Sequence, residues 1–315
     1  MLRTRFTDMF GIDHPVMSAP MARHSGGSLA AAVSAAGGLG SFGGITTEGP
    51  DWVRTHAALV RERTDRPFAI GFITAFLGMF GDLFDAALAA QPAAIALSFS
   101  DPGDWGRRVK DAGCRLICQV QTFADVEPAL AVGADVLVAQ GTEAGGHTGT
   151  MTLFPLLTGI AEQHPDVPLL AAGGIADGRS LAAALVAGAD GAWLGTAFLA
   201  TPEAVEIGDD HKDAIVSSDG GDTVLTRAYD IASGMPWPEG ISERVRRDSF
   251  TEEWAERESE LPAHLEDIEP PKPYLYGQGA GFVRAVRPAA DVLREISEDA
   301  ERVLRERPGQ LVLRD

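Results

Sequence analysis

The sequence predicts an α/β fold, a closed (β/α)8 TIM barrel with a C-terminal excursion packed near the barrel mouth. Eight short apolar runs recur between residues 15 and 200, and amphipathic or alanine-rich segments separate them. The runs lack polar alternation, which is typical of parallel strands covered by helices on both faces. Glycine-rich and polar stretches fall at the predicted strand ends, where barrels build their active sites.

The predicted strands and helices alternate along the chain. The helix at 28–36 ends at a pair of glycines, and the helix at 177–188 has an aspartate at its start. A third helix, at 122–134, contains Pro128, which is expected to shorten or kink it. The predicted strands are residues 15–20, 38–44, 67–73, 93–99, 114–120, 135–141, 168–174 and 190–196.

The character of the chain changes after residue 205. Residues 206–275 are rich in charge and show no further βα unit, so we expect a barrel of residues 1–205 and 276–315 and a smaller inserted or lid segment between them. Two prolines bracket Trp237 in this segment, which predicts either a stiff apolar lid corner or a surface loop with one buried tryptophan. A final helix is expected around 289–307.

Composition excludes several classes of function. The 315 residues carry a formal net charge of -19, and such an acidic surface repels nucleic acid. Cys114 and Cys118 are expected to be buried thiols in a reducing compartment, without the further ligands that a metal site needs. We find neither a signal-peptide pattern nor the ~18 consecutive apolar residues of a membrane span, so a cytoplasmic location is expected. The oligomeric state stays open, a homodimer included.

Permissive residues stand at the ends of the last two predicted strands. Gly173 and Gly174 close the seventh strand, and Gly195 and Thr196 close the eighth, about one βα unit later. Such glycines let the backbone approach a ligand and expose N–H groups, and barrels commonly bind phosphate in these loops. Either pair alone is explained equally well by a tight turn. Two pairs in register favour the phosphate of a cofactor or of a substrate.

The loop after the sixth predicted strand holds the candidate catalytic residue. Gln140 and Gly141 end the strand, and Gly145, Gly146 and His147 follow. An imidazole on a loop that wraps closely around a ligand suits proton transfer or hydrogen bonding to an anionic substrate. The alternative is a solvent-exposed loop histidine. We interpret the remaining histidines as surface or structural residues: His14, His24, His56, His164, His211 and His264.

Five ordered motifs carry a resemblance to a known family. EAGGHTG at 143–149, preceded by GADVLVAQG, resembles the signature shared by nitronate monooxygenases, formerly called 2-nitropropane dioxygenases, and flavin-dependent enoyl-acyl-carrier-protein reductases. The match covers about residues 8–201 in register. The other stretches that resemble this superfamily are PVMSAPMA, AAAVSAAGGLGSFGG, AAGGIADG, GAWLGTAFLAT and, more weakly, YGQGAGFV.

The resemblance implies that FMN is bound non-covalently at the barrel mouth. It implies that His147 is the active-site histidine and that Gly173, Gly174, Gly195 and Thr196 form the phosphate cradle. The other residues that match FMN-binding positions of the family are Ala19, Pro20, Met21, Gln140, Gly141, Gly145, Gly146 and Gln278.

Two positions of the expected FMN site depart from the family pattern. Many relatives place an asparagine near the flavin at the third strand end, where this chain has Gly71, so that contact is missing. Monooxygenase-type relatives often place a basic residue at the fifth strand end. This chain has Gln119 and Gln121 there, and either can donate a hydrogen bond to the flavin pyrimidine edge without bringing a positive charge. Weaker stabilisation of the anionic reduced flavin is the expected result.

The resemblance implies a leading reaction and several alternatives. The leading hypothesis is FMN-dependent oxidation of an alkyl nitronate with O₂ to a carbonyl compound and nitrite. His147 would bind the nitronate or take the α-proton of a nitroalkane, and Met21 and Phe72 would line the apolar wall. The alternatives are an NAD(P)H-dependent flavin enoyl reductase, another FMN oxidoreductase of the superfamily, and a non-catalytic FMN carrier or sensor.

Overall fold

The computed structural model describes residues 1–311, and all eight predicted strands are present in it. The barrel strands are β1 (Val16–Ser18), β2 (Gly40–Gly43), β3 (Phe68–Ile73), β4 (Ala94–Ser98), β5 (Arg115–Val120), β6 (Val136–Gln140), β8 (Leu169–Ala172) and β9 (Gly191–Leu194). They form one parallel sheet in the order β1-β9-β8-β6-β5-β4-β3-β2. A parallel bridge between Met17 and Leu39 joins the two outer strands and closes the barrel. The predicted fold class is therefore confirmed.

The helices alternate with these strands and continue into the C-terminal part. They are α1 (Arg5–Phe10), α2 (Gly27–Ala35), α3 (Pro50–Arg63), α4 (Gly81–Ala89), α5 (Gly103–Asp111), α6 (Val126–Ala131), α7 (Leu153–Gln163), α8 (Gly178–Val186), α9 (Thr196–Leu199), α10 (Asp209–Ser217), α11 (Ala228–Ser233), α12 (Ser249–Trp254) and α13 (Ala289–Leu311). Helix α9, which follows the last barrel strand, has only one turn. Helix α13 packs against α8 and α2 and takes the place of a full eighth barrel helix.

The helices expected from the sequence appear with small changes in length. The side chain of Asp177 caps α8 by accepting a hydrogen bond from the Ser180 N–H, which satisfies a donor of the first turn. The segment 122–134 splits into a 3₁₀ turn, Phe123–Asp125, followed by α6. Pro128 is the third residue of α6, where no intrahelical N–H bond is lost, so it shortens the helix without breaking it.

Helix α1 closes the N-terminal end of the barrel. Its Phe6 is fully buried and packs with Phe10 in an edge-to-face pair. Phe6 belongs to the cluster of apolar side chains that fills the barrel interior, together with Met17, Ile117 and Val138, and the partly buried Phe10 packs against this cluster. Since this end is filled, the wide opening lies at the C-terminal ends of the strands.

The segment 206–275 builds a small antiparallel sheet over the barrel mouth. Strands β10 (Thr223–Thr226) and β11 (Ser242–Arg246) pair with each other, and β11 pairs with β7 (Gly146–Thr148), a short strand in the loop after β6. A separate apolar cluster, which includes Tyr229, Val245 and Trp254, supports this sheet. The excursion therefore contacts the barrel through the loop that carries His147.

The two cysteines lie in the barrel as the sequence predicts. Cys114 and Cys118 are buried and form no disulfide, and burial raises the pKa of Cys118 to about 12. Within residues 1–311, no helix has the length and apolar character needed to cross a membrane.

Candidate active site

A cavity of about 630 Å³ opens at the C-terminal ends of the barrel strands. This volume lies in the ordinary range for a small-molecule or cofactor site. Among the predicted site residues, those that line it are Ala19, Pro20, Met21, Gly71, Phe72, Gln119, Gln140, Gly145, Gly146, His147, Gly173, Gly174, Gly195 and Thr196. The structure thus brings together residues that the sequence separates by up to 177 positions, from Ala19 to Thr196.

Two predicted residues, Gly141 and Gln278, do not line this cavity. A side chain at Gly141 would collide with the backbone of Leu153, so this glycine allows the close packing of the loop after β6. The Gln278 side chain is exposed, and the backbone N–H of Gln278 donates to the carbonyl oxygen of Glu143 at 3.0 Å. The neighbours Gly277 and Gly279, rather than Gln278, reach the cavity wall.

The glycine cradle has the form expected of an anion site. Gly173 and Gly174 adopt φ values of 105° and 70°, which favour glycine. A Cβ atom at Gly173 would lie 2.8 Å from the Gly141 carbonyl oxygen. In the described chain, the N–H groups of Gly173, Gly174, Gly195 and Thr196 donate no hydrogen bond. Converging free N–H groups are the usual protein ligands of a phosphate.

Pro20 explains why residue 71 is a glycine. A Cβ atom at Gly71 would lie 2.2 Å from Cγ of Pro20, far inside van der Waals contact. The proline ring therefore leaves no room for a side chain at position 71 while the loop after β1 keeps its place. The glycine at the end of β3 is thus linked to how that loop packs into the cavity.

A chain of buried amides fixes the donor at the end of β5. Nε2 of Gln121 donates to Oε1 of Gln119 at 3.1 Å and to Oε1 of Gln140 at 3.0 Å. Nε2 of Gln140 in turn donates to the carbonyl oxygen of His147 at 3.1 Å. The Oε1 atom of Gln119 is therefore occupied, which leaves its NH₂ group as the donor available on the cavity side.

His147 is oriented by the excursion. It stands on β7 directly opposite Glu243 of β11, so the strand register determines the direction of its side chain. Nε2 of His147 lies 3.0 and 3.1 Å from the two carboxylate oxygens of Asp230, a residue of α11. The other ring nitrogen, Nδ1, has no hydrogen-bond partner among residues 1–311 and is not buried, so it is the nitrogen available to a ligand.

An aromatic wall covers the imidazole of His147. The ring of Trp237 stacks on it, with 3.4 Å between centroids and 12° between planes. Phe76 and Phe99 contact the edge of Trp237 at centroid distances of 4.9 and 5.3 Å. Trp237 is buried against the barrel mouth and lines the cavity, whereas Met235, Pro236, Glu239 and Gly240 beside it are exposed. This arrangement is compatible with both interpretations of the Trp237 corner.

Sequence reasoning missed several residues of this cavity. Asp230 stands 83 positions after His147, and no motif links the two residues in one sequence. Phe99 also lines the cavity, and its positive φ of 66° could not be predicted from a sequence pattern. His24, interpreted as a surface or structural residue, lines the cavity, and burial lowers its pKa. His211 is structural as expected: it is fully buried, and burial together with nearby His24 lowers its pKa to about 4.

These residues fit a flavin mononucleotide. The free N–H groups of the cradle match a phosphate, and Gln119 presents an amide donor from the floor of the cavity. Apolar side chains of Met21 and Trp193 offer flat contact surface beside these donors. Among residues 1–311, no arginine or lysine forms an ion pair at the glycine cradle, so backbone N–H groups are its main donors.

Fold and cavity together define an α/β-barrel enzyme that acts on a small molecule at the C-terminal ends of its strands. Residues 3–79 and 83–260 match the family model described as nitronate monooxygenase, and the chain belongs to this family. Members of the family are flavin-dependent oxidoreductases. The resemblance predicted from the sequence is therefore confirmed.

Individual relatives carry different names. A nitronate monooxygenase, npaC, of Metarhizium robertsii is 34% identical over 92% of this chain and 91% of its own length. A (3aS,4S,5R,7aS)-5-hydroxy-7a-methyl-1-oxo-octahydro-1H-indene-4-carboxyl-CoA dehydrogenase of Mycobacterium tuberculosis is 33% identical over 75% of this chain, which spans 65% of that relative. The solved structure of FabK from Thermotoga maritima superposes with a TM-score of 0.89 at 30% identity, covering 99% of this chain and 100% of FabK.

Proposed function

We propose that this chain is an FMN-dependent nitronate monooxygenase, which oxidises alkyl nitronates with O₂ to a carbonyl compound and nitrite. The observation that carries the proposal is the His147–Asp230 pair in the cavity that the glycine cradle also lines, because a base at His147 would then act beside a cofactor held by the cradle. Similarity to the Metarhizium robertsii nitronate monooxygenase over nearly the whole chain supports the choice of substrate class.

FMN would be held by the residues of the cavity floor. The N–H groups of Gly173, Gly174, Gly195 and Thr196 would bind its phosphate, and Gln119 would donate to its pyrimidine edge. When bound, the flavin supplies electron transfer from the substrate to O₂, and the protein supplies position and electrostatics.

His147 would handle the proton. If Nε2 carries the hydrogen that is donated to Asp230, the lone pair of Nδ1 faces the ligand and can accept the α-proton of a neutral nitroalkane. After that transfer the imidazolium lies against the Asp230 carboxylate, which stabilises its charge. The same cation would hydrogen-bond the anionic nitronate oxygens. Met21 and Phe72, with the aromatic wall, would hold the alkyl part.

The segment 206–275 would serve as the lid of a barrel formed by residues 1–205 and 276–315. It contributes Asp230 and Trp237 to the cavity, so its displacement would uncover His147 on two sides. A lid that excludes water also strengthens the ion pair formed on proton transfer.

Anaerobic reduction tests this function. We expect the purified protein to carry a yellow, FMN-type absorption spectrum that bleaches on addition of propionate 3-nitronate and stays unchanged with NADPH. The return of the spectrum with O₂ should accompany the release of nitrite. Bleaching by NADPH alone, without reaction of the nitronate, would overturn the monooxygenase assignment.

A second candidate is reduction of an enoyl thioester with NAD(P)H. The observation that favours it is the superposition with FabK over 99% of the chain at a TM-score of 0.89. Fast anaerobic bleaching by NADPH, followed by reoxidation with an enoyl thioester, is the outcome expected of this candidate. The indene-carboxyl-CoA dehydrogenase relative makes a CoA thioester the natural test substrate.

A further inference from the structure

We propose that Glu243 is a positioning residue of the active site, which shares one proton with Asp230 behind His147 and thereby limits the negative charge that the imidazole faces. The inference rests on the proposed function, in which His147 exchanges the substrate proton. It adds a residue that lies outside the cavity and touches neither FMN nor substrate.

The strand pairing brings the three groups together. Glu243 of β11 is directly opposite His147 of β7 on one side and Thr226 of β10 on the other, so these side chains lie on the same face of the small sheet. One ligand-type atom from each of His147, Asp230 and Glu243 lies within 4.8 Å of the other two.

Glu243 is buried without a compensating cation. The residue is 3% exposed, and its Oε1 atom has no hydrogen-bond partner among residues 1–311. The ionisable groups that face it are His147 from β7, Asp230 and Tyr229 from α11, and, beyond Thr226, Glu258. Among residues 1–311, no arginine or lysine forms an ion pair with Glu243 or Asp230.

A proton satisfies this cluster better than two charges do. Two ionised carboxylates so close together, both buried, repel each other and lose their hydration. Burial raises the pKa of Glu243 to about 8, and the negative charge of Asp230 adds to this effect. A hydrogen bond from the backbone N–H of Asp230 lowers the pKa by a smaller amount. As a carboxylic acid at neutral pH, Glu243 can donate its O–H to Asp230, which gives the orphaned Oε1 a partner.

The shared proton sets the charge that the reaction meets. When His147 takes the α-proton, the substrate C–H bond breaks, an N–H bond forms at Nδ1, and the electron pair stays on the substrate as the nitronate. With Glu243 protonated, the three-residue cluster then passes from a net charge of about -1 to about 0. With Glu243 ionised, one extra negative charge remains next to the anionic nitronate. When the pH exceeds the value at which Glu243 loses its proton, the KM for nitronate should therefore increase.

Difference infrared spectroscopy tests the protonation state without turnover. We expect the protein labelled with ¹³C-glutamate to show a protonated-carboxyl band at pH 7 that disappears near pH 8 and is absent from Glu243→Gln. The exposed Glu252→Gln variant is the matched control and should retain the band. If no such band exists at pH 7, or if the purified protein holds one equivalent of a divalent cation at these carboxylates, the proposal is overturned.

A neighbouring substitution keeps the test decisive if Glu243→Gln does not fold. Asp230→Asn removes the adjacent charge, so the carboxyl band should disappear at a lower pH, by about one unit or more, whereas an unchanged transition counts against the shared proton. In the kinetic arm, the rise of KM for nitronate near pH 8 should be absent from Glu243→Gln. If the wild-type protein shows the expected infrared band but no rise of KM for nitronate near pH 8, the proposed substrate has failed and the proton assignment has not.

Discussion

At the scale of single residues, His147 is held from two directions that serve different purposes. Asp230 lies within hydrogen-bond distance of Nε2, where an ionised carboxylate favours the tautomer with its hydrogen on Nε2, and Trp237 stacks on the ring face and restricts its rotation. A neutral imidazole has one donor nitrogen and one acceptor nitrogen, so whichever nitrogen Asp230 occupies determines the chemistry of the other. In the proposed reaction, residues of the excursion would therefore determine which nitrogen of His147 accepts the proton.

Replacing Asp230 by Asn should separate proton abstraction from oxidation. We expect kcat/KM for a neutral nitroalkane to fall by about 10²-fold or more, because the neutral amide neither fixes the tautomer nor stabilises the imidazolium. Turnover of the preformed nitronate should fall much less, since no α-proton has to be removed. Steady-state rates of nitrite release measure both.

Asp213→Asn, on the exposed face of α10, is the matched control and should leave both substrates unaffected. Equal losses for nitroalkane and nitronate in Asp230→Asn would contradict the assignment of Asp230 to the proton step.

Replacing Gly71 by Asn should weaken flavin binding. The new Cβ atom would meet Pro20 at 2.2 Å, so the loop after β1 has to shift out of the cavity. We expect the Kd for FMN, measured by fluorescence titration, to rise by about tenfold or more, a loss of roughly 1.4 kcal/mol. Gly78→Asn, at an exposed site with no heavy atom within 4 Å of the new Cβ, should bind FMN normally.

Most individual residues of the site were predictable because they follow strands. The cradle glycines and Gln119 stand at or next to barrel strand ends, and His147 lies in the loop that follows β6. Parallel barrel strands bring their carboxyl ends, and the loops that follow them, to one opening. Asp230 and Glu243 were not predictable. They approach His147 only through the register of β7, β10 and β11, and the pairing of such short strands leaves no local signal.

At the scale of elements, the corner at Trp237 joins the excursion to the barrel. Phe76, Trp237 and Ile241 form a small buried cluster in which barrel and excursion residues meet. The sequence predicted the stiffness of this corner from its two prolines, but not what it covers, because the long-range packing of one tryptophan has no sequence period.

Truncating Trp237 should loosen the lid more than the flavin site. We expect Trp237→Ala to lower kcat by about tenfold and the free energy of unfolding by about 3 kcal/mol, through loss of the stack and a new cavity. The Kd for FMN should stay within about twofold, because the cradle lies on other loops. Denaturant titration and flavin fluorescence measure the two quantities.

Trp237→Phe retains an aromatic face and should restore most of the activity. A Trp237→Ala variant with wild-type kcat would show that the stack on His147 has no part in orienting the base.

At the scale of the whole molecule, charge dominates the response to pH. The chain carries 45 acidic residues and a net charge of -19. An unperturbed glutamate side chain has a pKa of about 4.3. Glu243 differs because its folded pKa lies near 8, above the value of an unfolded glutamate. Its stabilising contribution is present at low pH and is lost as the pH rises toward 8, since the native state binds the proton more tightly.

The stability of Glu243→Gln should therefore depend less on pH. Between pH 5 and pH 8 we expect the unfolding free energy of the wild type to fall by a few kcal/mol more than that of Glu243→Gln, on the order set by the shift in pKa. Glu252→Gln should follow the wild type. Parallel pH dependence of all three proteins in urea titrations would show that Glu243 ionises normally in the folded state.

The pairing of β7 with β11 also separates two routes of divergence within this family. The glycine loops that would receive the phosphate belong to β8 and β9, whereas the strand that aims the base is aligned by a hairpin outside the barrel sheet. Changes in that hairpin can redirect or recharge the base while the cofactor end stays constant. Exchange of residues 223–246 between homologous barrels is therefore expected to transfer substrate preference and to leave the cofactor end unchanged.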